Sequence, residues 1–187
     1  MPGVSPKLNS PLVADGDVGA QSYEFGPNGD FLVYLADQDT DGVSELYRVE
    51  RAMPGVTVKL SDTMVSGGEV LSAVNDQPSF RISPDGLQLT YIADQDTDEV
   101  FELYSVDLAT PGVSTKLNPP MADAGAFLLD TTADSLQVIY IAAQDSAAPE
   151  LYRVEIAGPG ASTKLNDSLT AGGGVFDFSI APGLRLP

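Results

Sequence analysis

The chain has 187 residues, enough for one domain with a real core, and 43% of them are hydrophobic, so it is not a disordered chain. Acidic residues outnumber basic ones 27 to 9, a formal net charge of −18, and a surface that negative repels phosphate backbones and anionic membrane surfaces. With no Cys, His or Trp, the chain has no disulfide, thiolate nucleophile or Cys-based zinc site, and cannot assemble Ser-His-Asp or Cys-His machinery by itself.

The N-terminal stretch MPGVSPKLNS has neither the basic nor the apolar region of a signal peptide. No apolar run reaches the roughly 18 residues of a membrane helix, so no membrane insertion is expected. Residues 1–18 read as the end of a repeat, with a last-strand element over Val4–Asn9. Three complete copies follow, over about 19–61, 62–118 and 119–166, and residues 167–187 begin another. Three markers set this division. PG-x-x-x-KL starts at Pro2, Pro54, Pro111 and Pro159, with spacings of 52, 57 and 48. ELY-x-V starts at Glu45, Glu102 and Glu150, and Y-[LI]-A-x-QD at Tyr34, Tyr91 and Tyr140. Three markers in one order at nearly one period exclude coincidence.

The second copy shows the internal plan. PSFRI is a short apolar segment, and SPDG is a turn, with Pro suited to φ near −65° and Gly to positive φ. LQLTYIA alternates, the acidic DQDTDEV follows, FELYSVDL alternates again, ATPG turns the chain, and VSTKLN is a last short strand. About four strands per copy, with no sustained helical period, predict an all-β chain of β-propeller-type blades. The third copy departs at its first turn, where Thr131, Thr132, Ala133, Asp134 and Ser135 lack both Pro and Gly.

The pattern F-x-[IF]-[SG]-P-[DN]-G, an alternating strand ending in Tyr and then ELY-x-V resembles the WD40-like repeats of bacterial TolB-type propellers. Phe25, Gly26, Pro27, Asn28 and Gly29 carry it in the first copy, and Ile82, Ser83, Pro84, Asp85 and Gly86 in the second. A further start, FSIAPG, lies at Phe178–Gly183. The resemblance implies a propeller and an extracytoplasmic location. It does not fix function, because these propellers serve many roles. Such rings usually have more blades than three, so the copies fit a piece of a longer propeller, a ring completed by self-association through open blade edges, or a small ring in which Val4–Asn9 joins the C-terminal strands.

The acidic strings contain the candidate site. Asp37, Asp39 and Asp41 take positions one, three and five of a D-x-D-x-D-G spacing that wraps oxygen ligands around Ca²⁺. Val43 could add a backbone carbonyl and Glu45 a closing carboxylate. The spacing looks like the calcium hairpins of integrin-α-type propellers, whose closing ligand is Asp. The second copy offers Asp94, Asp96, Asp98 and Glu102, with Glu99 in place of Gly. The third keeps only Asp145 and Glu150 and is read as lost. Against calcium stands an ordinary solvated turn, since Asp is a common turn residue and charged edges discourage aggregation.

Tyr34, Tyr47, Tyr91, Tyr104, Tyr140 and Tyr152 are expected to pack between blades, and the repeated Lys7, Lys59, Lys116 and Lys164 to be solvated edge charges. Glu24, Asp130 and Asp177 break the repeat symmetry, as a catalytic carboxylate would. The expected function is a non-catalytic scaffold for protein recognition, with Ca²⁺ stiffening one or two hairpins. The alternative is part of a carbohydrate-active or peptidase-associated propeller whose active site lies outside this chain.

Overall fold

The computed structural model describes residues 6–75, 77–121 and 125–181. Among these there is no helix, and twelve strands form three four-stranded antiparallel sheets. The first sheet is a meander of β1 (Val18–Phe25), β2 (Phe31–Ala36), β3 (Glu45–Glu50) and β4 (Thr57–Lys59). The second consists of β5 (Phe80–Ile82), β6 (Gln88–Ala93), β7 (Glu102–Asp107) and β8 (Ser114–Lys116). The third consists of β9 (Ala126–Thr131), β10 (Gln137–Ala142), β11 (Glu150–Glu155) and β12 (Thr163–Lys164). Each sheet is one blade, and each marker of the repeat has the same place in its blade.

Register follows from alternation. Tyr34 pairs with Tyr47, Tyr91 with Tyr104 and Tyr140 with Tyr152 across the two central strands. The rings stack with centroids 5.8, 5.6 and 5.6 Å apart, and all six are buried, those of the second and third blades on the face toward the preceding blade. The opposite face carries small and branched aliphatics. Val33, Leu35 and Leu46 of the first blade pack on Phe80, Leu89, Tyr91 and Tyr104 of the second. Ile92 and Leu103 of the second pack on Val138, Tyr140 and Tyr152 of the third. The central strands are therefore buried on both faces, which is why YLA, YIA and YIA read as continuous apolar runs. Each such side chain contributes about 1.5–3 kcal/mol.

Backbone bonds tie blade to blade. The Gly112 N–H donates to the Leu60 carbonyl and the Gly160 N–H to the Leu117 carbonyl, at 3.1 and 2.7 Å. The Gly55 N–H donates likewise to Leu8, at 2.8 Å. Leu8 thus takes the place that Leu60 and Leu117 have at the later junctions. Residues 6–9 are nevertheless in no strand and do not join the C-terminal sheet, contrary to the small-ring arrangement; Val4 and Ser5 lie outside the described residues. Residues 167–181 are likewise without strand, and the rest of FSIAPG, Pro182 and Gly183, lies outside the described residues.

The third copy keeps its first turn without Pro or Gly. Ser135 takes the left-handed φ of 64° that Gly29 and Gly86 take at 70° and 73°. A hydroxyl holds the loop closed. Thr132 Oγ1 donates to Asp134 at 2.7 Å and accepts from the Gln137 N–H at 3.1 Å, as Ser83 Oγ does with Asp85 and Gln88 at 2.6 and 2.9 Å.

Candidate functional site

The two long acidic strings form the β2–β3 and β6–β7 connections. Both fold alike. Asp37 accepts from the Asp17 N–H with one oxygen and from the Gly42 N–H with the other, the latter at 3.2 Å. Asp94 accepts from the Glu69 N–H at 2.6 Å and the Glu99 N–H at 2.9 Å. The first Asp of each string therefore ties the incoming interblade connection to the far end of its own loop. These donors hold the Asp37 carboxyl below the usual carboxylate range. Gly42 and Glu99 both adopt left-handed φ, 74° and 65°, so the loop requires that conformation whichever residue occupies it.

The closing Glu is engaged elsewhere. Glu45, Glu102 and Glu150 are buried, and each pairs with the Lys of the adjacent outer strand and with the Tyr two residues on. Glu45 meets Lys59 and accepts from Tyr47 Oη at 3.0 Å. Glu102 meets Lys116 at 2.8 Å and Tyr104 Oη at 3.3 Å. Glu150 meets Lys164 at 2.7 Å and Tyr152 Oη at 3.1 Å. Lys164 and the Tyr152 hydroxyl pull the Glu150 carboxyl below its ordinary value. Burial, then the adjoining Glu charge, raises the Tyr47 and Tyr104 hydroxyls far above theirs. Lys59, Lys116 and Lys164 are thus partners of buried carboxylates, not free edge charges, whereas Lys7 is exposed.

Asp39, Asp41 and Asp98 are exposed, and Asp96 pairs with Lys116 at 3.0 Å. Val43 is half-buried, and its N–H donates to the Thr40 carbonyl at 3.1 Å, closing the turn. Asp98 lies directly over Gly67, where a Cβ would come within 2.8 Å of its carboxylate. Among the described residues no three His, Cys, Asp or Glu side chains gather as a metal site requires. As folded, the loops do not fit Ca²⁺: their first and last carboxylates are held by other partners, and the middle ones point to solvent or to Lys116.

Sequence reasoning missed the role of the Gln in QD. Tyr34 Oη donates to Gln38 at 2.6 Å, and Gln38 Nε2 donates to Thr57 Oγ1 at 3.1 Å. Tyr91, Gln95 and Ser114 repeat this at 2.7 and 2.9 Å. The Gln satisfies a Tyr hydroxyl that would otherwise be buried unpaired.

A second group of charges lies on the first strands, where β5 sits between β1 and β9. Glu24 on β1 accepts from the Ile82 N–H at 3.1 Å. Arg81 on β5 meets Asp130 on β9 at 3.5 Å. Glu24, Arg81 and Asp130 line one open cleft of about 370 Å³. Arg81, Asp130 and Asp177 line another of about 350 Å³. Burial pushes the Glu24 carboxyl up to about 7 against the pull of the Ile82 N–H and Arg81. Contrary to expectation, Glu24 and Asp130 do not break the repeat: with Arg81 between them they hold one position in the three first strands, opposite Val33, Ile139 and Thr90, and Asp177 joins only at the cleft of Arg81 and Asp130.

Three stacked antiparallel four-stranded blades, ordered as a meander and bonded edge to edge, define the β-propeller fold. Solved structures agree. The chain is similar to the putative TolB from Agrobacterium tumefaciens, at 19% identity and a TM-score of 0.58, over 84% of this chain and 50% of that one. It is similar to puromycin hydrolase, at 16% identity and a TM-score of 0.58, over 80% of this chain and 20% of that one. It is also similar to an oligogalacturonate lyase solved with manganese, at 19% identity and a TM-score of 0.53, over 80% of this chain and 40% of that one. The chain therefore spans half the length of the first and a fifth of the second. No family model and no curated protein matches the sequence. At these identities the likeness is one of fold, that of a TolB-like β-propeller.

Proposed function

We propose that the chain is a non-catalytic β-propeller scaffold that recognises a protein partner, acting outside the cytoplasm as the TolB resemblance implies. One observation carries the reading. The recurring acids are structural: Glu45, Glu102 and Glu150 hold lysines in all three blades, and Asp37 and Asp94 hold backbone N–H groups in the first two. What faces the surroundings is a firm surface of net charge −18, suited to a basic protein patch.

A second reading has its own support. Glu24 and Asp130 flank Arg81 across two blade junctions beside open clefts, and lyase and hydrolase propellers are among the similar structures. On that reading the chain is part of an enzyme whose remaining residues lie elsewhere. The test is turnover of oligogalacturonates and of chromogenic aminoacyl amides by the purified chain, beside cross-linking of the chain in an envelope extract. The scaffold reading expects no turnover and a salt-sensitive cross-linked partner. Turnover that disappears in Asp130→Asn overturns it.

A further inference from the structure

Two grooves run between neighbouring blades at the end of the sheets away from the acidic loops, and they are repeat-equivalent. The groove between the first and second blades is plugged. Arg48 of β3 lies in it, with its guanidinium carbon 4.2 Å from the centroid of the Phe31 ring. Its Nη1 donates to the Leu108 carbonyl of the next blade at 3.3 Å, and its Nη2 pairs with Glu50. About 280 Å³ of cleft remains there.

The groove between the second and third blades has lost the plug. The position of Arg48 is Ser105, and that of Phe31 is Gln88. The acid is kept: Asp107 stands where Glu50 stands. The acceptor is kept too, because Ile156 replaces Leu108, each bonded by its N–H to the first β-turn of its own blade at 2.9 Å. The cleft is correspondingly wider, about 480 Å³, and Glu155 adds a second carboxylate to its wall. Leu87, Val113 and Leu136 stand exposed along it, at 62%, 68% and 60%.

We propose that the groove between the second and third blades is a docking site for an arginine side chain presented by a protein partner. This rests on the scaffold reading and names the chemistry of its partner. The chain itself supplies the template: one groove shows how a guanidinium is held, and the other offers the acid, the backbone acceptor and the space without the guanidinium. Gln88 replaces the aromatic face with a planar amide that can lie against the guanidinium and accept from it. Arginine is favoured over lysine because a planar fork reaches the Ile156 carbonyl and the Asp107 carboxylate together, whereas an ammonium is a compact, strongly hydrated point charge. The apolar rim of Leu87, Val113 and Leu136 is suited to the flanking residues of a peptide segment.

The experiment is an amide NMR titration of the full chain with acetyl-Gly-Arg-Gly-amide, beside its Lys and citrulline counterparts. Saturable shifts centred on Gln88, Ser105, Asp107 and Ile156 are expected, at least five-fold weaker for Lys and absent for citrulline. The double change Ser105→Arg and Gln88→Phe rebuilds the plug and should abolish them. Should that variant fail to fold, Asp107→Asn serves instead, with an expected loss of at least three-fold. Equal, diffuse shifts with Arg and Lys peptides, or full binding by the plugged variant or by Asp107→Asn, overturn the proposal. Failure here leaves the cross-linked partner standing, and turnover by the chain leaves the groove map standing, so the two readings fail separately.

Discussion

Replacing Glu24 by Gln separates a carboxylate that burial suppresses from one that Arg81 stabilises. Gln keeps an oxygen for the Ile82 N–H and removes the proton equilibrium. The Glu24 carboxyl stands at about 7 in the native chain against an ordinary 4.5. Between those values the unfolded chain releases a proton that the native chain retains, so stability falls as pH rises through this window and is level above it. Glu24→Gln escapes that loss. From pH 5.5 to 8.5 its advantage should grow by about 2 kcal/mol at roughly 1.4 kcal/mol per pH unit, reduced to about 1 kcal/mol by water in the open cleft. Both conditions lie above the sequence pI of 4.1, where the chain would precipitate. Urea unfolding of the two proteins at the two pH values gives the comparison directly. An advantage that stays constant or shrinks with pH refutes the reasoning: Glu24 would then be held ionised by Arg81, with Asp130 as a competitor for the same guanidinium.

Lys116→Met leaves Glu102 buried beside a hydroxyl and an amide alone, and should cost about 2 kcal/mol in urea unfolding; adding Glu102→Gln should recover more than half of it. Glu99→Gly relieves a left-handed φ of 65° and should stabilise by about 1 kcal/mol, while Gly42→Ala at 74° should cost a similar amount, both read from thermal melts. The loop geometry predicts no calcium-selective rise in melting temperature for CaCl₂ over EDTA at matched ionic strength with Mg²⁺ as control; a selective rise that Asp39→Asn with Asp41→Asn removes would show that the hairpins rearrange around the ion. Tyr23 and Phe25 on β1 are 56% and 59% exposed, whereas their counterparts Phe80 and Ile82 are buried. Sedimentation should therefore show concentration-dependent association that salt strengthens, by screening the charge of −18, and that Tyr23→Ser with Phe25→Ser abolishes.

The blades were legible because their markers recur at nearly one period, and alternation set which face each Tyr takes. The third first-turn was harder. Nothing in TTADS advertises left-handed φ at Ser135, and the Thr132 hydroxyl closes the loop as the Ser83 hydroxyl does beside Pro84 and Gly86. The calcium spacing was also legible, but spacing alone does not say where a carboxylate's partners are. The Glu–Lys pairs could have been found: Glu45 to Lys59, Glu102 to Lys116 and Glu150 to Lys164 are each 14 residues apart, and in the hairpin each Lys lies opposite the Tyr two residues on and diagonal to the Glu on the same face. That constant separation, through loops of differing length elsewhere, is the mark of a contact. The Glu24–Arg81–Asp130 group carried a mark too, since its members are spaced like Tyr34, Tyr91 and Tyr140 and hold one position in the three first strands, but that they meet follows only from the stacking of blades.

The closure of each Glu–Lys–Tyr cluster within a single sheet has a consequence for how such chains grow. Glu45, Glu102 and Glu150 each find their cation on the neighbouring strand of their own blade. A gene segment encoding one blade can be duplicated or deleted without stranding any of these three glutamates, while the apolar surface and the Gly N–H to Leu carbonyl bond that cross the seam recur from joint to joint. Blade number is then free to drift while the interior of each blade stays intact, and 14-residue Glu–Lys spacing should outlast any particular ring size.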